Sequence, residues 1–382
     1  MIYLDNAATT KYKPECVYEA FNYYVREVAV SPGRGSYSTG IEASRMLYKS
    51  RKQVGEFFGL AKATNVVFTK NSTEAINLFF RGFLRKGDHV VITCYEHNAV
   101  LRPLHKMKEE GIIDYSTICR EDLDLAPEEI YGKYFKSNTR VFATTLASNL
   151  TGRIILNREL LAFLHVKGVV NFLDASQGAG KIKIAMDKDQ IDYLAFTGHK
   201  DLLALPGVGG LCCSSSETIQ PLIQGGTGIF GDSYVNPDSF PERLEAGTLN
   251  MPAIWSLYSS IGFLNENWDK ITEQEDEIKA YLMEQLCSLD NIIIYDKDRS
   301  RVSTVGINVN GISSDKLVQL LDQNGICVRG GIHCAILAHE ALGTDKSGIV
   351  RISLSFFNKK EDVDGIISVL REVGTKDVSS IF

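Results

Sequence analysis

The sequence predicts an α/β protein with a largely parallel sheet, followed by a smaller α+β lobe. From about Val66 to Cys213, apolar runs rich in Val and Ile alternate with helical patterns, as in strands joined by helices. These runs are short and lack a polar–apolar alternation, which is typical of strands buried on both faces. After about Leu264 the pattern changes to β-α-β-β-α, which indicates a second lobe.

The elements of the first lobe can be assigned in chain order. The predicted strands are NVVFT, DHVVIT, TRVFATTL, GVVNFLDAS, DYLAFTGH and VGGLCCSS, and the predicted helices lie in STEAINLFFRGFLRKG, from Ala99 to Gly111 and from Asn157 to Lys167. A long polar helix pattern from Lys270 to Leu286 then precedes the second lobe, whose segments are STVGINVNG, SSDKLVQLLDQNG, ICVRGG, GIVRISLSF and KKEDVDGIISVLREV.

The length of the chain predicts two domains. Its 382 residues exceed the size at which a single hydrophobic core usually stops growing. We predict a large domain over residues 15–264 and a small domain over residues 265–382, which also takes in residues 1–14.

Composition argues against several classes of partner. The net charge is -6 and no dense run of Lys and Arg occurs, so neither nucleic acid nor a membrane is the expected partner. No secretory signal and no apolar run of the roughly 20 residues that span a bilayer is visible. The eight cysteines form no CxxC pair and no zinc spacing, so we expect a cytoplasmic protein without a metal site.

Polar residues follow several predicted strands, at the positions where doubly wound sheets bind ligands. Ser72 and Thr73 open a helix, whose free amides suit a phosphate, although ordinary helix capping is the favoured explanation of this motif taken alone. Asp174 ends an apolar strand and needs a cationic or hydrogen-bonding partner, and Gln177 follows it. Asn149 and His97 also follow strands, where each is either a ligand contact or a structural residue.

Lys200 gives these scattered positions a common meaning. Most lysines project into water, but this one follows an apolar strand in the segment YLAFTGHK. A phosphate cradle, an acid for a pyridinium nitrogen, a group that stacks on a ring and a lysine that forms a Schiff base are what pyridoxal 5'-phosphate (PLP) requires. The residues therefore predict PLP as the cofactor.

The chain resembles the class V, fold type I PLP enzymes of the cysteine desulfurase and selenocysteine lyase family. The resemblance extends from Tyr3 to Asp364, and its motifs are YLDNAATT, NSTEAIN, EHNAV, SNLTG, DASQGAG, TGHK, RLEAGTLN, GICVRGGIHCA and VRISLSFFNKKEDVD. It implies that Lys200 forms the Schiff base, that Asp174 pairs with the ring nitrogen, that Gln177 contacts the ring oxygen and that His97 stacks on the ring. It also implies a homodimer, and phosphate ligands at Thr73, Thr197, His199 and, for the neighbouring subunit, Thr248.

Two further residues distinguish between the reactions that PLP allows. Cys334 lies in the loop VRGGIHCAILAHEALG beside His333 and close to Arg329, and neighbouring cations lower the pKa of a thiol, although most free cysteines are inert. Arg351 lies among apolar residues, so its guanidinium either pairs internally or awaits a carboxylate. The resemblance favours a substrate anchor at Arg351, helped by Asn149 and supported by Arg329.

The expected reaction is the conversion of L-cysteine to L-alanine. In it Lys200 removes the α-proton, and Cys334 attacks the substrate sulfur and keeps it as a persulfide. His97 could protonate the leaving group. Three alternatives stay open: selenocysteine lyase, a class V aminotransferase that does not need Cys334, and a catalytically silent scaffold.

The sequence departs from the family pattern in one place and defines a subgroup in another. Where many relatives carry a histidine, the segment GRGSYSTG has Tyr37 at or near that position, so we assign this segment no catalytic role. The loop between Cys334 and Arg351 has 16 residues. This short loop resembles that of the family subgroup whose members pass sulfur to a dedicated acceptor protein.

Overall fold

The computed structural model describes residues 1–33, 35–60, 62, 65–214, 219–229 and 231–375. The strands are β1 Ile2–Tyr3, β2 Val66–Thr69, β3 Asp88–Thr93, β4 Ile113–Ile118, β5 Thr139–Thr145, β6 Val170–Asp174, β7 Tyr193–Thr197, β8 Gly209–Cys213, β9 Ile292–Ile294, β10 Thr304–Val309, β11 Ile326–Cys327 and β12 Val350–Ser353. The α-helices are α1 Glu15–Tyr23, α2 Ser38–Phe57, α3 Ser72–Phe83, α4 Asn98–Glu109, α5 Pro127–Tyr134, α6 Arg158–Val166, α7 Met251–Cys287, α8 Ser314–Gln323, α9 Ile336–Leu342 and α10 Lys360–Thr375.

The chain divides into two compact units. The large unit consists of Lys13–Leu146 and Leu156–Glu266; the small unit consists of Met1–Tyr12, Ala147–Ile155 and the chain from Asn267 onward. The segment Ala147–Ile155 lies inside the predicted large domain in sequence but belongs to the small unit. Helix α7 is continuous through Leu264, where the sequence suggested a boundary, and the units divide within it.

The large unit is built on a seven-stranded sheet with the order β2-β8-β7-β6-β5-β3-β4. Strand β8 runs antiparallel to both β2 and β7, and the other neighbours are parallel. The mostly parallel α/β sheet predicted from the sequence is therefore confirmed. Because β2, β3, β5, β6 and β7 all point the same way, their carboxyl ends lie at one edge of the sheet.

Aromatic packing holds α3 against this sheet. Phe79 of α3 lies with its ring centroid 4.6 Å from Phe172 of β6 and 4.5 Å from Tyr193 of β7. All three side chains are buried, and large aromatic rings contribute much of the energy of such cores. This packing fixes the position of the first turn of α3 at the carboxyl edge.

The small unit contains two small sheets. Strands β12, β10 and β9 form an antiparallel sheet, and β1 pairs in parallel with β11. Their core combines Val305, Ile307 and Ile352 with apolar residues of α8 and α10, such as Leu317 and Ile366. The sequence predicted the order β-α-β-β-α but missed the short helix α9 between β11 and β12.

No described helix is both long enough and apolar enough to cross a membrane.

Candidate active site

Asp174 is a predicted site residue of the large unit that several hydrogen bonds hold in place. It ends β6, is only 2% exposed, and its Oδ1 accepts hydrogen bonds from the backbone N of Ser176 at 2.9 Å and from Ser176 Oγ at 2.5 Å. Ser72 Oγ donates to the same oxygen at 3.4 Å. The hydroxyl of Ser72, which was predicted as part of a phosphate cradle, is therefore hydrogen-bonded to Asp174. The adjacent Thr73 is exposed.

The turn after β7 presents Thr197, His199 and Lys200. Thr197 is buried, and its Oγ1 has no hydrogen-bond partner among the described residues. His199 is partly buried, and burial together with the nearby cations of Lys200 and Lys13 lowers its pKa to about 4. His199 is therefore neutral at pH 7 and can donate only one ring N–H. Lys200 is itself partly buried.

Residues that the sequence analysis did not select hold this turn in place. Lys13 Nζ donates to the backbone oxygen of His199 at 2.9 Å, and burial lowers the pKa of Lys13 to about 8. Asp201 accepts a hydrogen bond from the backbone N of Gly178 at 3.0 Å and forms a buried salt bridge with Lys181 at 3.2 Å. The segment that carries the buried Gln177 is thereby tied to the residue that follows Lys200.

His97 has a defined structural role at the start of α4. Its Nδ1 accepts a hydrogen bond from the backbone N of Ala99 at 3.0 Å, so it caps the helix. An acceptor at Nδ1 places the proton of the neutral ring on Nε2. This hydrogen bond fixes the tautomer of the imidazole. It uses only Nδ1, at the edge of the ring, and does not involve the two ring faces.

Glu96, the residue before His97, is a buried acid that the sequence analysis did not select. Its Oε1 accepts hydrogen bonds from Thr93 Oγ1 at 2.6 Å and from the backbone N of Thr145 at 2.9 Å. Its Oε2 has no partner among the described residues. Burial, with a smaller effect from the negative charge of Asp174, raises the pKa of Glu96 to about 8. Glu96 therefore carries a proton at neutral pH.

Thr248 lies in the loop before α7. It is exposed and lines a cavity of about 280 Å³ together with Arg51 and Glu245. Glu245 is buried, and its Oε1 accepts hydrogen bonds from Arg51 Nη1 and from the backbone N of Phe68, both at 2.6 Å. This ion pair anchors the loop that presents Thr248. Tyr37, where the family pattern is broken, is exposed and precedes α2.

In the small unit, Cys334 is exposed at an unusual turn of the backbone. His333 and Cys334 have φ values of 51° and 56°, in the left-handed region that residues other than glycine rarely adopt. His333 is buried: its Nε2 donates to the backbone oxygen of Ile349 at 2.9 Å, and its own backbone oxygen accepts from Asn149 Nδ2 at 2.7 Å. These two hydrogen bonds hold the turn that presents the thiol.

The expectation that His333 supplies a positive charge beside Cys334 is wrong. Burial, with the nearby cation of Arg351, lowers the pKa of His333 to about 3, so the ring is neutral at physiological pH. Arg329, which is exposed, is the remaining cation predicted near this loop.

Arg351 is buried in β12, and its guanidinium pairs internally. Its Nη1 donates to the backbone oxygen of Asn149 at 3.0 Å, and its Nη2 bonds Asp5 Oδ1 at 2.7 Å. Its Nε has no partner among the described residues. Of the two possibilities left open by the sequence, the structure has the internal pair, with Asp5 of the YLDNAATT motif as the partner.

Comparison with known proteins places the chain in a family. The model of the class-V aminotransferases matches residues 2–366. The chain belongs to this family. It is 32% identical over 381 residues to a probable cysteine desulfurase of Methanothermobacter thermautotrophicus, a match that covers 97% of this chain and 94% of that protein.

Solved structures of family members have the same fold. The apo structure of cysteine desulfurase from Thermococcus onnurineus NA1 has a TM-score of 0.87 and 30% identity, covering 97% of this chain and 94% of the other. The cysteine desulfurase CsdA of Escherichia coli has a TM-score of 0.85 and 26% identity, with the same coverage. The fold type and the family predicted from the motifs are thus confirmed.

Proposed function

We propose that this chain is a PLP-dependent cysteine desulfurase that converts L-cysteine to L-alanine and retains the sulfur on Cys334. The similarity to proteins named cysteine desulfurase, over nearly the whole chain, supports this function over a selenocysteine lyase or an aminotransferase. The observation that carries the proposal is the exposed thiol of Cys334. It lies on a turn with left-handed backbone angles that the hydrogen bonds of His333 hold in place. An aminotransferase has no need of such a thiol.

The residues of the large unit fit PLP. Asp174 offers a buried carboxylate oriented by two hydroxyls, which suits a protonated ring nitrogen. The unpartnered hydroxyl of Thr197 and the neutral ring of His199 are donors that suit a phosphate. When bound, PLP would supply an electron sink for the α-carbon of an amino acid.

Each predicted residue then has one task. Lys200 would hold the aldehyde and afterwards accept the α-proton on Nζ. Gln177 would donate to the ring oxygen, and His97, fixed as a helix cap, would stack on the ring and present its Nε2 proton. Ser72, Thr73, Thr197 and His199 would form the phosphate site or orient its neighbours.

The small unit would bind the substrate and take its sulfur. Arg351, with Asn149 and the supporting cation of Arg329, would bind the carboxylate of L-cysteine. The thiolate of Cys334 would attack the substrate sulfur: an S–S bond forms, the C–S bond breaks, and the carbon takes up the electron pair and then a proton. The products are L-alanine and a persulfide on Cys334, so no external oxidant is needed.

Two partners complete the proposal. The exposed Thr248 would reach the phosphate site of a second copy of the chain, which makes the functional unit a homodimer. The 16-residue loop between Cys334 and Arg351 supports transfer of the persulfide sulfur to a dedicated acceptor protein.

Quantifying alanine and persulfide tests the function. We expect the purified protein, loaded with PLP, to form L-alanine from L-cysteine without a keto acid and to carry the persulfide on Cys334. Cys334→Ala should lower the rate of alanine formation by about 100-fold or more, because the sulfur then lacks its acceptor. Cys287→Ala, which removes another exposed thiol, is the matched control and should retain the rate.

Two results would overturn the proposal. The first is an undiminished rate in Cys334→Ala, and the second is alanine formation that depends on a keto acid. Borohydride treatment followed by peptide mass analysis checks the cofactor separately, because it should fix the PLP ring on Lys200.

A further inference from the structure

The buried guanidinium of Arg351 already has a carboxylate partner within the small unit. Its Nη2 donates to Asp5 Oδ1 at 2.7 Å and its Nη1 to the backbone oxygen of Asn149 at 3.0 Å. Its Nε is buried and has no hydrogen-bond partner among the described residues. Each outer nitrogen therefore uses one of its two N–H groups in these contacts. A second carboxylate that binds Arg351 through two donors also needs Nη2, so it has to displace Asp5 or lie beside the negative charge of Asp5 on the same nitrogen.

Charge explains why Asp5 is paired in this way. Arg329 and Arg351 lie opposite each other on antiparallel backbone segments and exchange backbone hydrogen bonds of 2.8 and 3.5 Å. Like charges at directly opposed positions are destabilising, and a buried cation without an anion is more so. Arg329 is exposed to solvent, but the side chain of Arg351 is only 3% exposed. Asp5 therefore stabilises Arg351 whenever no substrate is bound.

We propose that Asp5 competes with the substrate for Arg351 and is thereby a specificity-determining residue of the carboxylate site. This inference rests on the proposed function, in which Arg351 binds the carboxylate of L-cysteine. A simple carboxylic acid has only its carboxylate with which to displace Asp5. An amino acid is also held by its amino group, so its carboxylate reaches Arg351 at a high effective concentration. Asp5 thus rejects simple carboxylic acids and admits amino acids.

Binding of propionate, which is L-alanine without the amino group, tests this role. The PLP-loaded protein is titrated with sodium propionate at constant ionic strength, and binding is followed by ligand-observed NMR. Asp5→Asn keeps the shape of the side chain but removes its charge, so we expect it to bind propionate about 10-fold or more tightly than the wild type does. Asp276→Asn removes a carboxylate that is 70% exposed on α7 and should bind propionate like the wild type.

Further variants separate competition from a purely structural role. If Asp5 only stabilises the fold, Asp5→Asn binds propionate no more tightly than the wild type, and the proposal is overturned. The gain in affinity should disappear in Asp5→Asn combined with Arg351→Ala, and a gain that persists there also overturns the proposal. Asp5→Ser is the second charge-free variant if Asp5→Asn does not fold.

Failure of the proposed function would be recognised separately, because it means that no alanine forms from L-cysteine. The propionate titration involves no turnover, so it still reports on the Asp5–Arg351 contact in that case.

Discussion

Single residues around Cys334 show how the small unit presents a thiol. His333 is neutral and buried, so it acts through hydrogen bonds at its Nε2 and its backbone oxygen and not through charge. Two consecutive left-handed residues are unfavourable by roughly 1–3 kcal/mol each unless the surroundings hold them. Asn149 links this turn to Arg351, since its side chain bonds His333 and its backbone oxygen bonds Arg351.

Asn149→Ala isolates the side-chain part of this link. The variant loses the hydrogen bond to His333 but keeps the backbone acceptor of Arg351. We therefore expect kcat for alanine formation to fall about 10-fold, with a smaller change in KM for L-cysteine. Steady-state kinetics provide the measurement, with Asn310→Ala, an exposed asparagine of the same unit, as the control. A raised KM with unchanged kcat would instead mean that the Asn149 amide acts mainly on the substrate.

At the scale of elements, the carboxyl edge of the large sheet depends on close backbone approach. A Cβ atom on Gly209 of β8 would lie 2.6 Å from the backbone oxygen of Phe196 and 2.7 Å from the carbonyl carbon of Asn71. Only glycine permits this contact. It brings β8 against β7 and against the residue that caps α3.

Gly209→Ala should therefore destabilise the large unit. We expect a loss of roughly 2–3 kcal/mol in the free energy of unfolding, because backbone atoms have to move apart. Gly132→Ala in α5 is the matched control, since no atom lies within 4 Å of the added methyl group; it should be neutral or stabilising. Chemical denaturation of both variants measures the difference, and equal stabilities would contradict the tight approach at Gly209.

The buried acid at the end of β3 makes stability depend on pH. The pKa of Glu96 is raised to about 8 from an ordinary value of 4.5, so the folded protein holds this proton more tightly than the unfolded chain does. The stabilisation is complete below about pH 4.5 and is lost as the pH rises toward 8. The free energy of unfolding of the wild type should therefore fall between pH 5 and 8, and in Glu96→Gln this fall should be smaller by roughly 3–5 kcal/mol.

Denaturation at several pH values measures the effect of Glu96. Glu56→Gln, whose side chain is 62% exposed in the wild type, is the control and should keep the pH dependence of the wild type. The same pH dependence in Glu96→Gln would mean that Glu96 is ionised in the folded protein.

At the scale of the whole molecule, the proposed function requires two copies of the chain. Thr248 is exposed, and the large side chains of Tyr234 and Val235, which precede it by 14 and 13 positions, are also exposed in the single chain. Burial of these side chains against a second copy would be consistent with the dimer. We therefore expect light scattering to give twice the chain mass of 42.4 kDa. Full activity in a monomer would show that Thr248 of a second copy is not needed at the cofactor site.

The sequence by itself determined the family, the mostly parallel sheet and the order of the motifs. These follow from local apolar patterns and from residue identities, and both can be read along the chain. It also singled out Asp174, His97 and Lys200, because each lies at the end of an apolar strand or within a few residues of it. Their roles toward PLP stay predictions.

Only the tertiary structure decided which groups face each other and which of them are charged. It paired Arg351 with Asp5, 346 positions away, and it put Ala147–Ile155 into the small unit. It also made His333 neutral and kept a proton on Glu96. The physical reason is that burial and charge pairing depend on neighbours in space, and residues far apart in the sequence supply them.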